Sequence, residues 1–509
     1  MNIADVLRRQ ASARPDSPAY SCGVTTLSWT EVAHRSARLA RWLAGELPTG
    51  ARVAILSRTC HRYFETHYAL AMAGLVAVPL NWRLTATELA QLLDDSGAAA
   101  LVVDRGLAGT ARRALETARG DLLLLGHGDG DAAGLDLIDY ECVASEGDAT
   151  PPEVAVDGDD LHVIGYTSGT TGTTKGAMIT HHAATTAALA YALALGLRPE
   201  DRVLACMPGY VYRGGSGGFA PAVAGAHTIV REFDAARVAE HLVRDGITQV
   251  TLAPAMATRV LAHAQRSGAE DGPDVVWLTG APAGAEIIRQ LRDRFACDVG
   301  SLYGMTEATG IAMIRHRGDR DDLLGSIGRP MVLLDVRVVD PTGAEVAVGE
   351  VGEIIVRGDT VTKGYWGDPE LTAERIRDGW LHTGDMARRD AEGHLVIVDR
   401  RADIINSGGL NVYTSQVEHA IATHPDVVEC SVVGAPDDEW GEVPVAVVVP
   451  RRELTAQEVI EWTSRSLPTF KRPRRVEFVG ELPRNAMGKV DKRALRDPYW
   501  AGRDRKVGG

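Results

Sequence analysis

The segment Tyr166-Thr-Ser-Gly-Thr-Thr-Gly-Thr-Thr-Lys-Gly176 is the most informative stretch of this chain, and it follows an apolar run at 161–166 that predicts a strand. Its three glycines allow a loop whose backbone amides can face one anion. The hydroxyls of its serine and threonines add donors, and Lys175 adds a positive charge. We expect a strand–loop–helix that binds a polyphosphate. It is not a Walker A loop, because GxxxxGK[ST] cannot be fitted, and a plain Gly/Thr linker predicts neither the strand nor the helix.

Around this segment, helical and strand patterns alternate. Ser28 to Glu31 and Thr85 to Glu88 each form a capping box that opens a helix, the first running to about Glu46. Strands are predicted at 52–56, 99–103, 203–206, 249–252, 275–278 and 298–302, and helices at 238–245, 255–264 and 285–295. Apolar strands separated by amphipathic helices indicate parallel sheets that are covered on both faces.

The pattern changes after about residue 325. Short strands with turn residues between them, at 335–339, 353–356 and 395–398, predict an antiparallel β subdomain. A charged run at 399–403 follows, and beyond it a compact α/β pattern has helices from Ser415 and at 456–466 and strands at 429–433 and 443–449. We therefore predict a large domain at 1–398, a hinge at 399–401 and a small domain at 402–509.

Composition excludes several classes of protein. The chain has 509 residues, of which 45% are hydrophobic and 24% charged, and its net charge of −14 argues against a nucleic-acid binder. The six cysteines lie far apart without a CxxC pair, which fits neither a zinc site nor a disulfide framework and suits a reducing cytoplasm. The N-terminus has no signal-peptide core, and the longest apolar stretch, 69–80, is too short to span a bilayer. We expect a cytoplasmic protein.

Six further segments carry polar or glycine-rich patterns in a fixed order. They are Gly280-Ala-Pro282, Tyr303-Gly-Met-Thr-Glu307, His382-Thr-Gly-Asp385, Asp399-Arg400, Ser407-Gly-Gly409 and Pro483-Arg-Asn-Ala-Met-Gly-Lys489. Together with Tyr166–Gly176 they resemble the motifs of the adenylate-forming superfamily, which includes acyl-CoA synthetases, nonribosomal adenylation domains and luciferases. The resemblance covers nearly the whole chain. Each motif alone is a weak signal, whereas all of them in order are a strong one.

The resemblance implies roles for individual residues. It assigns ATP binding to Thr167, Ser168, Gly169, Thr170, Thr171, Gly172, Lys175, Gly280, Ala281, Pro282, Tyr303, Gly304, Met305, Asp385 and Arg400. It assigns catalysis to Lys489, Thr306 and Glu307, with Glu307 holding Mg²⁺, and binding of coenzyme A to Gly408 and Gly409. The implied fold is α/β, with a large N-terminal domain of two α/β subdomains and a β subdomain, followed by a small, mobile α+β C-terminal domain.

The residue types suit these roles. The carboxylate of Asp385 can accept both ribose hydroxyls, although an Asp after Gly384 is also an ordinary turn residue. Glu307 is a hard oxygen ligand suited to a Mg²⁺ ion that bridges phosphates. Lys489 lies in a Gly-containing loop that can swing into an active site, although lysines in such loops are usually solvated.

Three positions depart from the family pattern. Ala402 stands where relatives have Asp or Lys in the hinge, and Leu410 stands where many have Glu. After Pro208 the chain reads Gly209-Tyr-Val-Tyr-Arg-Gly-Gly215, without the aromatic–His pair that commonly lines the carboxylate pocket. We expect Tyr210, Tyr212, Arg213 and Gly304 to line the acid pocket instead. If Arg213 is buried there it needs an anionic or polar partner, whereas a solvent-exposed Arg213 needs none.

The resulting prediction is a two-step ligation that uses ATP, Mg²⁺ and coenzyme A. A small polar or aryl carboxylic acid attacks the α-phosphate of ATP, and the thiol of coenzyme A then displaces AMP from the acyl-adenylate. Two alternatives remain open: an adenylating enzyme with another acceptor (a carrier-protein thiol or an amine) or with an inorganic oxyanion as substrate, and a non-catalytic nucleotide-binding protein. A carrier protein and a second copy of the chain are the macromolecular partners left open, and neither nucleic acid nor a membrane span is expected.

Overall fold

The computed structural model describes residues 1–168, 174–211, 219–264, 272–280, 284–316, 319, 323–484 and 489–501. The chain forms two compact units. The first comprises Met1–Thr167, Lys175–Val336 and Val356–Leu381, and the second comprises Ser168–Thr174, Arg337–Ile355 and His382–Gly509. The predicted hinge at 399–401 lies in sequence within the second unit, and the domain boundary stays a prediction.

The elements alternate in the first half and become strand-rich later, as the sequence predicts. The helices are α1 Ile3–Ala13, α2 Trp29–Glu46, α3 His61–Ala73, α4 Ala86–Ser96, α5 Ala108–Leu115, α6 Tyr140–Ser145, α7 His181–Ala194, α8 Phe219–Ala224, α9 Ala235–Arg244, α10 Pro254–His263, α11 Ala285–Phe295, α12 Pro369–Arg375, α13 Thr414–Ala422, α14 Ala456–Thr463 and α15 Lys492–Trp500. The strands are β1 Pro18–Cys22, β2 Thr25–Ser28, β3 Arg52–Leu56, β4 Val76–Pro79, β5 Ala98–Asp104, β6 Leu123–His127, β7 Ile138–Asp139, β8 Leu161–Ser168, β9 Thr174–Thr180, β10 Arg202–Ala205, β11 His227–Val230, β12 Gln249–Leu252, β13 Val275–Thr279, β14 Asp298–Met305, β15 Gly310–Arg315, β16 Arg329–Pro330, β17 Leu334–Val339, β18 Val351–Gly358, β19 Ile376–Arg377, β20 Trp380–Arg389, β21 Leu395–Arg400, β22 Ile405–Ser407, β23 Leu410–Val412, β24 Val427–Asp437, β25 Gly441–Pro450 and β26 Arg475–Phe478.

Two large sheets form the first unit. One has the order β7-β6-β5-β3-β4-β8-β9, and the other β16-β15-β14-β13-β12-β10-β11-β1-β2. Strands β6, β5, β3, β4 and β8 of the first sheet are parallel, and so are β14, β13, β12, β10, β11 and β1 of the second. In the second sheet β15 is antiparallel to both β14 and β16. On β3, Val53 and Ile55 belong to one hydrophobic core while Ala54 and Leu56 belong to another. This alternation confirms the prediction of parallel sheets that are covered on both faces.

Local signals locate the helix starts. The Ser28 hydroxyl accepts the Glu31 amide while the Glu31 carboxylate accepts the Ser28 amide, and Thr85 and Glu88 make the same pair of bonds. The two capping boxes begin α2 and α4, as predicted, because each satisfies amides that the first helical turn leaves without a partner.

The predicted strand–loop–helix is wrong in one respect. A seven-residue strand, β9, lies between the loop and α7, and α7 begins only at His181. The reason is sheet pairing, because β9 lies next to β8 in the sheet. β9 also bonds to a segment almost two hundred residues later, where Met178 N–H donates to the Gly364 carbonyl at 2.9 Å and Trp366 N–H donates to the Gly176 carbonyl at 2.8 Å. The N-terminus of α7 therefore does not directly follow the loop, contrary to the predicted strand–loop–helix.

Two smaller sheets account for the remaining strands. One has the order β17-β18-β20-β19 with β21 added to β20, and β20 and β21 are antiparallel, as predicted for this region. The other, in the second unit, has the order β23-β22-β25-β24 with β26 added to β25, and α13 and α14 contribute to its core. Among the described helices, none has the combined length and apolar character that crossing a bilayer would need.

Candidate active site

Two of the predicted nucleotide-binding segments lie at the carboxyl ends of neighbouring strands. β13 and β14 are parallel with Thr279 opposite Leu302, so the next residues, Gly280 and Tyr303, follow side by side. Gly280 has φ +92°, which favours glycine at this turn. Ligands of open parallel sheets bind at this edge. The predicted partners Ala281 and Pro282 lie outside the described residues.

Gly304 is required by a close approach of two backbones. The register of β14 and β15 shifts between Tyr303 and Gly304. A Cβ at Gly304 would lie 1.7 Å from the Gly310 carbonyl oxygen, so no larger residue fits without moving the strands. This bulge turns the chain after Met305 into the single 3₁₀ turn Thr306–Ala308. The glycine therefore places Thr306 and Glu307 at the strand end.

β8, the strand that leads into the predicted phosphate-binding loop at 166–176, packs directly against this turn. A Cβ at Gly165 on β8 would lie 2.8 Å from the Cγ2 atom of Thr306, so the absence of a side chain lets the two segments touch. Two residues further along, the Thr167 hydroxyl lies 3.5 Å from the Lys175 carbonyl oxygen on β9. The structure thus brings Thr167, Lys175 and Thr306 into one region. The side chain of Ser168 and the residues Gly169, Thr170, Thr171 and Gly172 lie outside the described part.

Glu307 is held in place by a segment that sequence reasoning missed. The Tyr365 hydroxyl donates to Glu307 Oε1 at 3.1 Å, and the Thr362 N–H donates to the Glu307 carbonyl at 2.7 Å. Burial first, and then the Glu307 charge, raises the pKa of Tyr365, so the hydroxyl stays a donor. Tyr365 belongs to the same 362–366 segment that pairs with β9, and no local signal in the sequence links it to Glu307.

A carboxylate oriented in this way fits a magnesium ion. A carboxylate has about four acceptor positions, and Tyr365 uses one on Oε1. Across the described ranges, no group of three or more His, Cys, Asp or Glu side chains is placed to hold a metal together. A single hard oxygen ligand is what Mg²⁺ needs when substrate phosphates and water supply the others.

The predicted ribose-binding residues meet in the second unit. Asp385 on β20 lies opposite Arg400 on β21, with Arg400 Nε 3.3 Å from Asp385 Oδ1. Asp385 is 7% exposed, and its N–H donates to the Thr383 hydroxyl at 3.1 Å. Gly384 has φ +74°. The arrangement pairs a carboxylate that can accept ribose hydroxyls with a guanidinium that can reach ribose or phosphate oxygens.

Lys489 follows a loop whose base is fixed. Asp491 N–H donates to the Pro483 carbonyl at 2.8 Å, and Arg484 and Val490 form an antiparallel bridge. Arg484 also binds Glu429 through both carboxylate oxygens, at 2.7 and 2.9 Å. Residues 485–488 lie outside the described part, so the loop is known here by its two anchored ends.

The predicted coenzyme A residues form a hairpin turn. Ser407 pairs with Leu410, and the two residues between them, Gly408 and Gly409, have φ +61° and +79°. Both conformations favour glycine, as in a two-residue turn with positive φ at both positions. A Cβ at Gly408 would lie 2.7 Å from the Trp440 ring, whereas one at Gly409 would have nothing within 4 Å. Backbone conformation alone therefore explains Gly409, and its role toward coenzyme A stays a prediction.

The predicted acid-binding residues are only partly described. Tyr210 follows β10 and is 7% exposed, and its hydroxyl is bonded by the Arg83 guanidinium. Arg83 also lies over the Trp82 ring, 4.4 Å from its centroid. Burial raises the pKa of Tyr210 against the opposing charge of Arg83. Tyr212 and Arg213 lie outside the described residues.

Sequence reasoning missed Trp82 and Arg83. A signal was available, because an aromatic–Arg pair a few residues after the parallel strand β4 lies near a carboxyl edge, where ligands of such sheets bind. Gly165 offered a similar signal, since a glycine within an apolar strand often marks a close backbone approach.

Comparison with known proteins agrees with this geometry. Residues 7–366 match the family model of AMP-binding enzymes, and residues 416–489 match the model of the AMP-binding enzyme C-terminal domain. A feruloyl-CoA synthase from Amycolatopsis is 37% identical over 96% of this chain and 97% of its own length. An indoleacetate–CoA ligase from Aromatoleum aromaticum is 33% identical over 97% of this chain and 98% of its own.

A solved structure extends the similarity to three dimensions. The o-succinylbenzoate CoA synthetase of Bacillus subtilis, in complex with its acyl-adenylate intermediate, superposes with a TM-score of 0.86 at 28% identity, covering 99% of both chains. The same enzyme in complex with ATP and magnesium ion gives a TM-score of 0.84 at 27% identity, covering 97% of this chain and 98% of that one. Family models, relatives and structure agree, and the chain belongs to the AMP-binding enzyme family, within the adenylate-forming superfamily.

Proposed function

We propose that this chain is an ATP-dependent acid–CoA ligase that acts on an aryl-substituted carboxylic acid. The observation that carries the proposal is the packing of Gly165 against Thr306. This contact places β8, which leads into the predicted phosphate-binding loop, beside the turn that contains Glu307. Two relatives are named as enzymes that form CoA thioesters, and a third was solved with ATP and magnesium ion. These names support ATP, Mg²⁺ and coenzyme A as the small molecules that this chain uses. The assignment of individual site residues rests on their match to the family motifs and on the contacts described above.

The reaction has two steps. In the first, a carboxylate oxygen of the acid attacks the α-phosphorus of ATP, a new O–P bond forms, and the bond to pyrophosphate breaks. In the second, the sulfur of coenzyme A forms a bond to the acyl carbon and its thiol loses a proton, and AMP leaves with the electron pair of the acyl–oxygen bond.

Positioning and charge neutralisation are what the protein contributes to such a transfer. Thr306 and Lys175 would face the phosphates, Asp385 would accept the ribose hydroxyls, and Lys489 would approach the transferring phosphate from its anchored loop. Mg²⁺, held by Glu307, would supply positive charge that offsets the charge developing on the phosphate oxygens. We also propose that the domain boundary lies at the hinge 399–401, which separates 1–398 from 402–509.

The class of acid is inferred from two sources. The relatives named above act on feruloyl, indoleacetate and o-succinylbenzoate groups, each of which joins an arene to a carboxylate. The chain itself replaces the usual aromatic–His pair with a segment that carries Tyr210, Tyr212 and Arg213. A polar or anionic substituent on the arene would give a pocket-facing Arg213 the partner that a buried guanidinium needs. A long unbranched fatty acid would be a poor substrate.

The test is pyrophosphate release by the full-length chain with ATP, Mg²⁺ and one acid at a time: ferulate, indoleacetate, o-succinylbenzoate, benzoate and palmitate. Release with an aryl acid, followed by thioester formation with free coenzyme A, supports the proposal. Efficient turnover of palmitate contradicts the acid class. Thioester only on a phosphopantetheinyl carrier, or an amide with an amine, contradicts the acceptor.

Lys489→Ala separates the two steps. Its charge serves the phosphate and the incoming carboxylate, so pyrophosphate release should fall by two orders of magnitude or more, as when a charge contact is removed from a site that excludes water. Conversion of supplied acyl-adenylate to thioester should persist. An equal fall of both half-reactions would refute the assigned role of Lys489.

We also propose a reducing intracellular compartment, the cytoplasm, for this enzyme. All six cysteines lie among the described residues and are free thiols, including the exposed Cys142. Free thiols are usual where glutathione keeps cysteines reduced. ATP and coenzyme A are used there as well.

A further inference from the structure

Glu353 is a buried carboxylate to which the sequence motifs assign no role. It lies on β18, is 7% exposed, and has partners from two other segments of the second unit. Its Oε2 lies 3.0 Å from His382 Nδ1, and its Oε1 accepts the Gly384 N–H at 2.9 Å. Arg401 Nη1 lies 3.5 Å from Oε2. A buried carboxylate is costly unless it is paired and hydrogen-bonded. Here the His382 ring, the Gly384 N–H and the Arg401 guanidinium are its partners.

These contacts fix the backbone turn that presents Asp385. Gly384, at φ +74°, is held through its N–H by Glu353. The neighbouring Thr383 hydroxyl donates to the Ile354 carbonyl at 2.7 Å and accepts the Asp385 N–H at 3.1 Å. Two consecutive residues of β18 thus hold two consecutive residues of the turn, and the turn leads directly to the Asp385–Arg400 pair.

We propose that Glu353 is a positioning residue for recognition of the ATP ribose, acting through Asp385. The inference rests on the proposed function, in which Asp385 accepts the ribose hydroxyls. Glu353 touches neither substrate nor the reacting atoms in this assignment; it sets the position of the carboxylate that does. Its contact with Arg401 also ties the turn to the predicted hinge, so the same carboxylate holds both.

The test uses Glu353→Gln in the full-length enzyme, because glutamine keeps the shape and removes the charge. Adenylation is assayed by pyrophosphate release with ATP and with 3′-deoxy-ATP. We expect the KM for ATP to rise about tenfold, which corresponds to ~1.4 kcal/mol and is the scale of a weakened charge-assisted hydrogen bond. The KM for the acid should change less than twofold, and the preference for ATP over 3′-deoxy-ATP should fall.

The matched control is Glu345→Gln. Glu345 pairs with Arg389 on the same strand as Asp385, but at the far end of that strand and on an exposed surface. This variant should leave the KM for ATP and the nucleotide preference within twofold of the native values. The nucleotide preference is a ratio that does not depend on how much of a preparation is folded, so it remains readable if Glu353→Gln folds poorly.

Asp385→Asn distinguishes the ribose-binding role of Asp385 from the positioning role of Glu353. If Asp385→Asn leaves the ATP preference intact, the ribose role within the proposed function is wrong, and the inference falls with it. If Asp385→Asn removes the preference while Glu353→Gln does not, only the inference is overturned. In the Asp385→Asn background, Glu353→Gln should have no further effect on the KM for ATP. A full additional tenfold loss there would show that Glu353 acts independently of Asp385, contrary to the inference.

Discussion

Three buried histidines should make this enzyme lose stability in mild acid. His67, His162 and His181 form a row of neighbouring rings in the first unit, with ring centroids 5.8 Å apart for His67 and His162 and 4.9 Å apart for His162 and His181. Burial lowers the pKa of His67 to about 3 and that of His181 to about 4, the latter against a nearby Asp160 that acts in the other direction. Burial, and then the two neighbouring imidazoles, lowers the pKa of His162 as well.

The magnitude follows from these pKa values. The unfolded chain takes up a proton on each imidazole near the ordinary pKa of 6.5, while in the folded protein the pKa of His67 is about 3 and that of His181 about 4. Below pH 6.5 the unfolded state therefore binds more protons, and the free energy of unfolding falls as the pH falls. At pH 5 this amounts to about 2 kcal/mol per histidine, or about 4 kcal/mol for His67 and His181 together. The stability is present above about pH 6.5 and is lost progressively as the pH falls, down to about pH 4 for the part due to His181 and about pH 3 for the part due to His67.

The assay is urea unfolding of the full-length chain at pH 7.5 and pH 5.0, followed by tryptophan fluorescence. Trp29 and Trp277 are buried in the first unit, so its unfolding transition can be identified. In His67→Leu, which has a side chain of similar volume, the loss between the two pH values should be smaller by about 2 kcal/mol. The exposed His263→Leu is the control and should show the native pH dependence. If native protein and His67→Leu lose the same stability between pH 7.5 and pH 5.0, the reasoning is refuted.

Three other substitutions test separate parts of the structure. Tyr365→Phe removes the hydroxyl that orients Glu307. It should raise the Mg²⁺ concentration for half-maximal pyrophosphate release about tenfold and leave the KM for the acid unchanged. An unaltered Mg²⁺ titration would contradict this. Gly409→Asn, which tolerates positive φ, should spare adenylation and slow thioester formation, whereas Gly409→Leu adds backbone strain; equal loss of both half-reactions in the Asn variant would reduce Gly409 to a turn residue. Ala296→Gly, at the C-terminal cap of α11 with φ +51°, should raise the urea midpoint through about 1 kcal/mol of added stability without changing activity, and no gain would disprove strain there.

Local sequence located many of the elements, although the structure extends or shifts several of their ends by a few residues. The capping boxes at Ser28 and Thr85 fixed two helix starts, because a side chain three residues away satisfies the amides that a helix start leaves open. The predicted strand at 249–252 and the predicted helix at 285–295 match β12 and α11 residue for residue. Motif order was sufficient for the family, since each motif is a short contiguous segment whose chemistry can be read without the fold.

Contacts between distant segments had to come from the tertiary structure. The sequence predicts a helix directly after the glycine-rich loop, whereas the structure has β9 there, because this segment pairs with β8 and also bonds to residues 363–366. Glu307 lies 58 positions from Tyr365, and Glu353 lies 31 positions from Gly384. The Glu353–Gly384 bond depends on β18 and β20 becoming neighbours in a sheet, and the Glu307–Tyr365 bond depends on the turn after β14 meeting the segment that bonds to β9. Hydrophobic periodicity predicts that a strand has a buried face, but it does not say which other strand will lie beside it. Only the packing of the whole chain selects that neighbour. The sequence therefore predicted which residues carry the chemistry, through short contiguous motifs, and the tertiary structure decided which side chains orient Glu307 and the turn before Asp385.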